Sequence, residues 1–475
     1  MNYSDLRVTI IGMAREGMAL ARFFARLGAR VTINDIKSPA HLTKEIKQLA
    51  EWPIECVLGG HPEDILETDV VYVSPGIPRT IPILREAKRR GLRISSQTEL
   101  LFELCQAPII GITGSSGKTT TTTLIGKMME QTGMSMRGTG MSMEMDEPQT
   151  TWVGGNIGRP LIEHINEIQS NHKVVLELSS FQLEDLQYSP HIALITNLRP
   201  NHLDRHPSYE AYKEAKINIL KHQSSDDVAV LNWDDPEVRI LANKTKGRVR
   251  WFTRQAKLTS KDGTYVEDDW IVLKEGHTIQ RVMPISSIKL PGKHNLENVL
   301  AAISAVTATD LKISSAAHVA GTFMGVPHRL ETIRIKNNIR WVNDSIATSP
   351  DRTVAALRAY PAEASLILLA GGRDKHLDTK EMVQEIVSRV RYVIFFGEAG
   401  PLIEKAVRQA LSKTTNGQLG MRVCKTLEDA VMQANQIAKQ GDIILLSPSG
   451  TSFDAYRNYE VRGEHFRELV MGLGS

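Results

Sequence analysis

A lysine and two threonines close a glycine loop, Gly114-Ser-Ser-Gly-Lys-Thr-Thr120, and carry the most specific chemistry in the chain. Gly114 and Gly117 let the backbone N–H groups of the loop, through Ser115 and Ser116, approach phosphate oxygens without a Cβ in the way. Lys118 supplies a positive charge for the outer phosphates, and the Thr119 hydroxyl can ligate Mg2+. From Thr120 the chain continues as a helix, whose N-terminus adds its positive end. Ile109, Ile110 and Ile112 before the loop read as a buried strand, and Leu124, Ile125, Met128 and Met129 carry the helix on. Strand, glycine loop, Lys-Thr and helix form the P-loop arrangement and predict an ATP site. Ile112 stands where the strict pattern has a further glycine, so a plain strand-to-helix turn with a chance Gly-Lys-Thr is the alternative.

Glu177 falls inside an apolar run, Lys173-Val-Val-Leu-Glu-Leu178. A carboxylate in a buried strand is costly unless it meets a cation or a donor, and after a P-loop Mg2+ is the simplest partner. His202, Asp204 and His206 alternate as H-x-D-x-H. Zinc is one reading, but no Cys or further His completes a four-ligand set nearby, and a Mg2+ or phosphate-side role suits a P-loop enzyme better. Lys216 lies on the apolar side of a helix with Tyr209, Tyr212, Lys213 and Leu220, where snorkelling to the surface is the plain reading. Asn295 and Asn298 share a helix face; paired amides can hold a nucleotide, and capping by Asn295 alone is the alternative.

Three α/β segments must position these groups. Val8 to Gly17 is a strand entering a glycine turn, followed by a helix with Leu20, Phe23, Phe24 and Leu27 on one face and a second strand ending at Asp35. This is a Rossmann-like opening. Ala14 replaces the second glycine of the full fingerprint, so a UDP-type ligand, or a packing turn with no ligand, fits at least as well as NAD. Val70 to Pro78 is another strand and turn, whose Ser-Pro-Gly could face a phosphate or be a simple turn. The Met-rich stretch from Met134 to Met145 reads as a loop with packing methionines. Short strands and hairpins from Val228 to Ile288 finish the central domain. After Gly325, buried strands at Arg340–Ser345, Leu366–Gly371, Tyr392–Gly397 and Asp442–Gly450 alternate with helices. They predict a second parallel sheet, with loops at the strand C-terminal ends facing a ligand. The expected fold is α/β in three domains: a Rossmann-like domain over 1–107, a P-loop domain over 108–325 and a Rossmann-like α/β domain over 326–475.

The length of 475 residues suits about three domains. The chain is 41% hydrophobic and 23% charged, as in ordinary globular proteins, and its net charge of +3 argues for neither nucleic acid nor a membrane surface. Cys56, Cys105 and Cys424 lie far apart with no metal or pairing pattern, which fits a reducing cytosol. No apolar run reaches transmembrane length. A cytoplasmic enzyme, and a monomer, is expected.

In this order the segments resemble the Mur ligases across the full length. The resemblance rests on Ser74-Pro-Gly76, Gly111 to Thr119, Gly155-Asn-Ile-Gly158, Glu177 to Leu183, Asn197 to His206 and His294 to Asn298. In the third domain it rests on His328-Arg329, Asn343-Asp-Ser345, Gly371 to Lys375 and Ser447 to Gly463. Glu177 to Leu183 and Ser452-Phe-Asp454 point to the branch that adds D-glutamate to UDP-N-acetylmuramoyl-L-alanine. The resemblance implies that Lys118 and Thr119 hold ATP phosphates and Mg2+, and that Glu177 and His202 position a second Mg2+. It implies that Lys216 is carbamylated, an anion suited to a metal site where an ammonium would be repelled. Asn156 would lie near metal and substrate, and Asn295 and Asn298 near adenine and ribose. Arg329 and Asp344 would reach ATP from the third domain. Thr348, Lys375, Ser452 and Tyr459 would surround glutamate, and Arg15, Asp35, Ile36, Lys37 and Gly76 would face the UDP part.

The chain departs from the family at Ser116, where Asn is usual, and at Asn201, where Asp is frequent. Ile346 and Ser349 replace Lys and Asn beside the amino-acid site. The implied chemistry is ATP-dependent amide formation through an acyl phosphate, in peptidoglycan precursor synthesis. The rivals are an L-glutamate-adding sister activity, another Mur or folylpolyglutamate synthase-like ligase, a P-loop switch and a dehydrogenase. The separate third domain with Lys375 speaks against the switch, and the incomplete glycine fingerprint against the dehydrogenase.

Overall fold

The computed structural model describes residues 3–130, 150–200, 205–290, 292–309, 311–374, 377–412 and 419–474. The chain forms two compact units, Met1–Phe323 and Met324–Ser475.

The first unit holds two sheets. Strands β1 (Arg7–Ile11), β2 (Arg30–Asp35), β3 (Ile54–Leu58), β4 (Val70–Val73) and β5 (Arg93–Ser95) form one, in the order β3-β2-β1-β4-β5. All its pairings are parallel. The strand order reverses between β1 and β4, so the turns after them meet at a crevice on one edge. The helix Arg15–Arg26 packs Leu20, Phe23 and Phe24 against this sheet, as its apolar face predicts.

The second sheet contains β6 (Ile109–Thr113), β7 (Thr151–Gly155), β8 (Lys173–Glu177), β9 (Ile192–Ile195) and β10 (Val228–Asn232). It continues through β11 (Arg248–Thr253), β12 (Gly263–Glu267), β13 (Trp270–Glu275) and β14 (Thr278–Pro284). The order is β14-β13-β12-β11-β10-β9-β6-β8-β7, and only the β12–β13–β14 pairings are antiparallel. Strands β6, β8, β9 and β10 read as continuous apolar runs because helices or chain cover both faces of the parallel part. One hydrophobic cluster joins both sheets of this unit, from Val8 and Phe24 to Ile162 and Leu176.

The second unit is a six-stranded sheet of β15 (Glu331–Lys336), β16 (Ile339–Asn343), β17 (Leu366–Gly371), β18 (Val390–Phe396), β19 (Gly420–Val423) and β20 (Ile443–Ser449). Its order is β15-β16-β20-β17-β18-β19, parallel except for the edge strand β15. Leu366, Leu368 and Ala370 pack into one core and Ile367 and Leu369 into the other, the two faces of a strand buried on both sides. The expected α/β architecture with a Rossmann-like start, a P-loop sheet and a further parallel sheet is what forms.

Candidate active site

Strands β6, β7, β8 and β9 run parallel, so their C-terminal ends share one edge. The P-loop, Asn156, Glu177 and Asn197 therefore meet there. The loop turns at Gly114 and Gly117, both at positive φ. A Cβ at Gly117 would lie 2.3 Å from Asn298 Oδ1, so only glycine lets the loop close against the helix Lys293–Val306. Asn298 accepts from Thr121 Oγ1 at 3.3 Å and donates to Asn295 Oδ1 at 3.2 Å, which sets both amides of the sequence pattern beside the loop. Ser115 Oγ meets Tyr212 Oη at 2.9 Å, and Ser116 N donates to Asn197 Oδ1 at 3.0 Å. Lys118 Nζ donates to Gly114 O at 2.8 Å, folded over the loop.

Glu177 is 2% exposed and its two oxygens are matched. Thr119 Oγ1 donates to Oε2 and Asn156 Nδ2 to Oε1, each at 2.7 Å. The pairing brings the P-loop hydroxyl and the buried carboxylate together as hard oxygen donors, a set that fits Mg2+. Lys216 is 1% exposed and does not snorkel. Ser208 caps its helix, Tyr209–Lys221, and turns Lys216 inward, where Nζ donates to Thr113 Oγ1 at 3.1 Å and sits 4.9 Å from the Tyr212 ring centre. Burial, with the nearby Lys118 charge, pushes its amine well below the usual lysine range, against a smaller pull from Glu177. His206 is engaged elsewhere, with Nε2 2.9 Å from Ser180 Oγ and its ring stacked on Phe181. Among the described residues no group of three or more His, Cys, Asp or Glu is arranged to hold a metal. His202, Asp204, Asn201 and the Met134–Met145 stretch lie outside the described residues.

On the first sheet, Ser74 Oγ donates to Gly12 O at 2.9 Å and ties the two crevice turns together. Asp35 accepts from Met13 N and Lys37 N, both at 2.9 Å, so its carboxylate shapes the turn. Ile36, Lys37 and Gly76 are exposed around this edge. The Arg15 guanidinium donates to three carbonyls of the Gly155–Gly158 turn.

In the second unit, β16, β20 and β17 are neighbours and end on one edge. Asp344 follows β16 and is buried, accepting from Ser447 Oγ at 2.8 Å and Leu330 N at 3.2 Å. Burial pushes its carboxyl up to about 7, with Ser447 pulling back. Arg329 is exposed next to a strained turn, where His328 and Leu330 take positive φ. Ser452 is buried, while Thr348 and Tyr459 are half-buried; Ser345 Oγ donates to Tyr459 O at 2.8 Å. Arg462, which carried no assigned role, is fully buried and donates to Ser345 Oγ, Ser345 O and Gly450 O at 2.9–3.2 Å. A cavity of about 200 Å³ opens beside this edge, lined by Pro350, Asp374, Leu377, Leu402 and Ser449 among others. Lys375 lies outside the described residues. At the departures, Ile346 is held by its backbone to His328 O, and the Ser349 side chain makes no cap bond for the helix Pro350–Arg358.

Three family models match along the chain: the Mur ligase MurD-like N-terminal domain over residues 6–96, the Mur ligase middle domain over 112–306 and the Mur ligase glutamate ligase domain over 328–450. The chain is 41% identical to the UDP-N-acetylmuramoylalanine–D-glutamate ligase of Symbiobacterium thermophilum, covering 98% of both. It is 38% identical to the protein of the same name from Acetivibrio thermocellus, covering 98% of this chain and 96% of that one. The crystal structure of the UDP-N-acetylmuramate-alanine ligase of Thermotoga maritima has a similar fold, with a TM-score of 0.52 at 17% identity over 99% of this chain and 100% of that one. The chain belongs to the Mur ligase family.

Proposed function

We propose that this chain joins D-glutamate to the alanyl carboxylate of UDP-N-acetylmuramoyl-L-alanine with hydrolysis of ATP to ADP, in peptidoglycan precursor synthesis. The observation that carries the reading is the Thr119–Glu177 pair beside the buried Lys216, whose amine is pushed well below its usual range, in a chain so similar over its whole length to ligases of that name. The P-loop backbone and Lys118 hold the triphosphate. The alanyl carboxylate attacks the γ-phosphorus, the bond to ADP breaks, and an acyl phosphate forms. The glutamate amine attacks that carbonyl, loses a proton, and phosphate leaves. Asn295 and Asn298 face the adenine and ribose side.

Lys216 in its neutral form, which burial favours, can attack CO2: a C–N bond forms, a nitrogen proton leaves, and a carbamate anion remains. Thr119, Glu177, His202 and this carbamate would hold two Mg2+ ions, which offset the charge of carboxylate meeting triphosphate. The exposed edge at Ile36, Lys37 and Gly76 takes the UDP end; Thr348, Lys375, Ser452 and Tyr459 take glutamate. Residues 1–107, 108–325 and 326–475 act as UDP-substrate, ATP and amino-acid domains of a cytoplasmic monomer. The test is ADP release with UDP-N-acetylmuramoyl-L-alanine and each glutamate enantiomer. Release with D-glutamate only is expected; release with L-glutamate only, or with neither, overturns the reading.

A further inference from the structure

Arg15 and Glu16 begin the helix Arg15–Arg26 on the first sheet, and both reach the second sheet of the same unit. Arg15 Nη1 donates to Gly158 O at 2.9 Å, and Nη2 to Gly155 O and Asn156 O at 3.2 Å. Glu16 Oε1 accepts from Gln182 Nε2 at 2.9 Å. These partners flank one group. Gly155 pairs with Glu177 across the β7–β8 ladder, and a Cβ on it would lie 2.3 Å from Glu177 O. Asn156 bonds Glu177 twice, from N to the carbonyl at 2.8 Å and from Nδ2 to Oε1 at 2.7 Å. On the other side, Gln182 closes a capping box with Ser179, two residues past Glu177. Arg15 thus grips the turn that carries the Glu177 donor, and Glu16 grips the helix start that ends its strand.

Packing alone does not require this arrangement. Glu16 is 8% exposed, its Oε2 is buried without a hydrogen-bond partner, and burial pushes its carboxyl up to about 7 against the pull of Arg15. A buried carboxyl with one oxygen unmatched is costly, so an apolar side chain would be the stabler choice at that position.

We propose that Arg15 and Glu16 are positioning residues that fix the Glu177 carboxylate from the first sheet, so that the Gly12–Arg15 crevice turn and the P-loop site respond to one another. The proposal rests on the reading of Glu177 as a metal-holding carboxylate. It gives Arg15 a role towards the second sheet beside the UDP-side role that the resemblance implies.

Mn2+ titration of the full chain by electron paramagnetic resonance tests it, with ADP release as a second readout. Glu177→Gln is the control, expected to weaken Mn2+ binding at least about a hundredfold, and groups that orient metal ligands typically contribute about 10–100-fold. Arg15→Met and Glu16→Leu are expected to weaken it about tenfold and to lower kcat more than they raise the glutamate KM. Arg15→Lys and Glu16→Gln, which keep a donor and an acceptor in place, fall between those variants and the natural chain. If Arg15→Met and Glu16→Leu bind Mn2+ as the natural chain does, even with a lower Tm, their role is structural and the proposal is overturned. Should either fail to fold, the conservative variant at the same position decides by the same comparison. If Glu177→Gln binds Mn2+ normally, the metal reading of Glu177 has failed and takes the proposal with it, an outcome distinct from failure at Arg15 and Glu16 alone.

Discussion

Lys216 in the first unit and Arg462 in the second are both closed off from solvent, at 1% and 0% exposure. Lys216 Nζ bonds the Thr113 hydroxyl, and its amine is driven well below its usual range. Arg462 distributes three nitrogens over three oxygens, and burial lowers it only to about 10, so it remains a cation at neutral pH. A guanidinium spreads its charge over several donors, whereas an ammonium concentrates it. Burial, joined by the Lys118 charge, pushes the lysine towards its neutral form, while the arginine stays charged. The first unit holds a lysine pushed towards neutrality; the second holds a fixed tie between the loops after β16 and β20.

The largest expected effect comes from giving the first region the chemistry of the second. Lys216→Arg cannot form a carbamate, and Lys216→Ala has no nitrogen there. Both should lose at least about a thousandfold in ADP release, the scale of losing a principal electrostatic group. Short carboxylates should restore part of the activity to Lys216→Ala and none to Lys216→Arg. Lys118→Ala should be equally inactive with its fold intact, by circular dichroism; near-normal turnover in it would sink the ATP site.

The reverse exchange should act on stability. Arg462→Lys loses most of the three-point tie, and the same burial pushes its amine towards the neutral form; denaturant unfolding should show a loss on the order of 3 kcal/mol. An unchanged midpoint would mean that the bonds to Ser345 and Gly450 contribute nothing.

Asp344 sharpens the comparison through pH. The folded chain keeps its proton up to about 7, while the ordinary value for the unfolded chain is 3.8. Between those values the folded state binds more protons, so this group makes stability fall as pH rises across the window. Asp344→Asn should remove that fall, seen as a flatter Tm–pH profile from about pH 4 to 7. The same slope in both proteins contradicts the burial effect.

The smallest effect is expected at the acceptor end. Lys375→Ala should raise the glutamate KM about tenfold, the equivalent of one charge-assisted contact, and leave the ATP KM nearly unchanged. Ile346→Lys should lower the dependence on Lys375. A change confined to ATP would move the amino-acid site elsewhere.

What could be read from the sequence was local. The P-loop announced itself because strand, glycines, Lys118 and Thr119 are consecutive. Glu177 was visible as a carboxylate inside an apolar run, and Lys216 as a lysine on an apolar helix face. The alternation of apolar runs with helical stretches gave the parallel sheets. Contacts between distant positions were not readable. Glu16 looks like an acidic residue in a helix first turn, a common and unremarked choice, and nothing near it signals Gln182. The resemblance sets Arg15 towards the UDP part, and nothing near it signals the carbonyls some 140 residues further along to which it donates. Arg462 sits in a recognisable motif, but its job depends on Ser345 and Gly450 from two separate loops.

The strand order of the second sheet also sets how that part of the protein comes apart with time. Strand β6 has a hydrogen-bonded neighbour on each side, whereas β14 has one neighbour and mostly exposed side chains. Amides of β14 reach deuterium once a single ladder frays, but those of β6 must wait for the interior of the sheet to part. The strand that feeds the phosphate loop is thus six places from the hairpin edge, and fraying of β14 leaves its own two ladders intact.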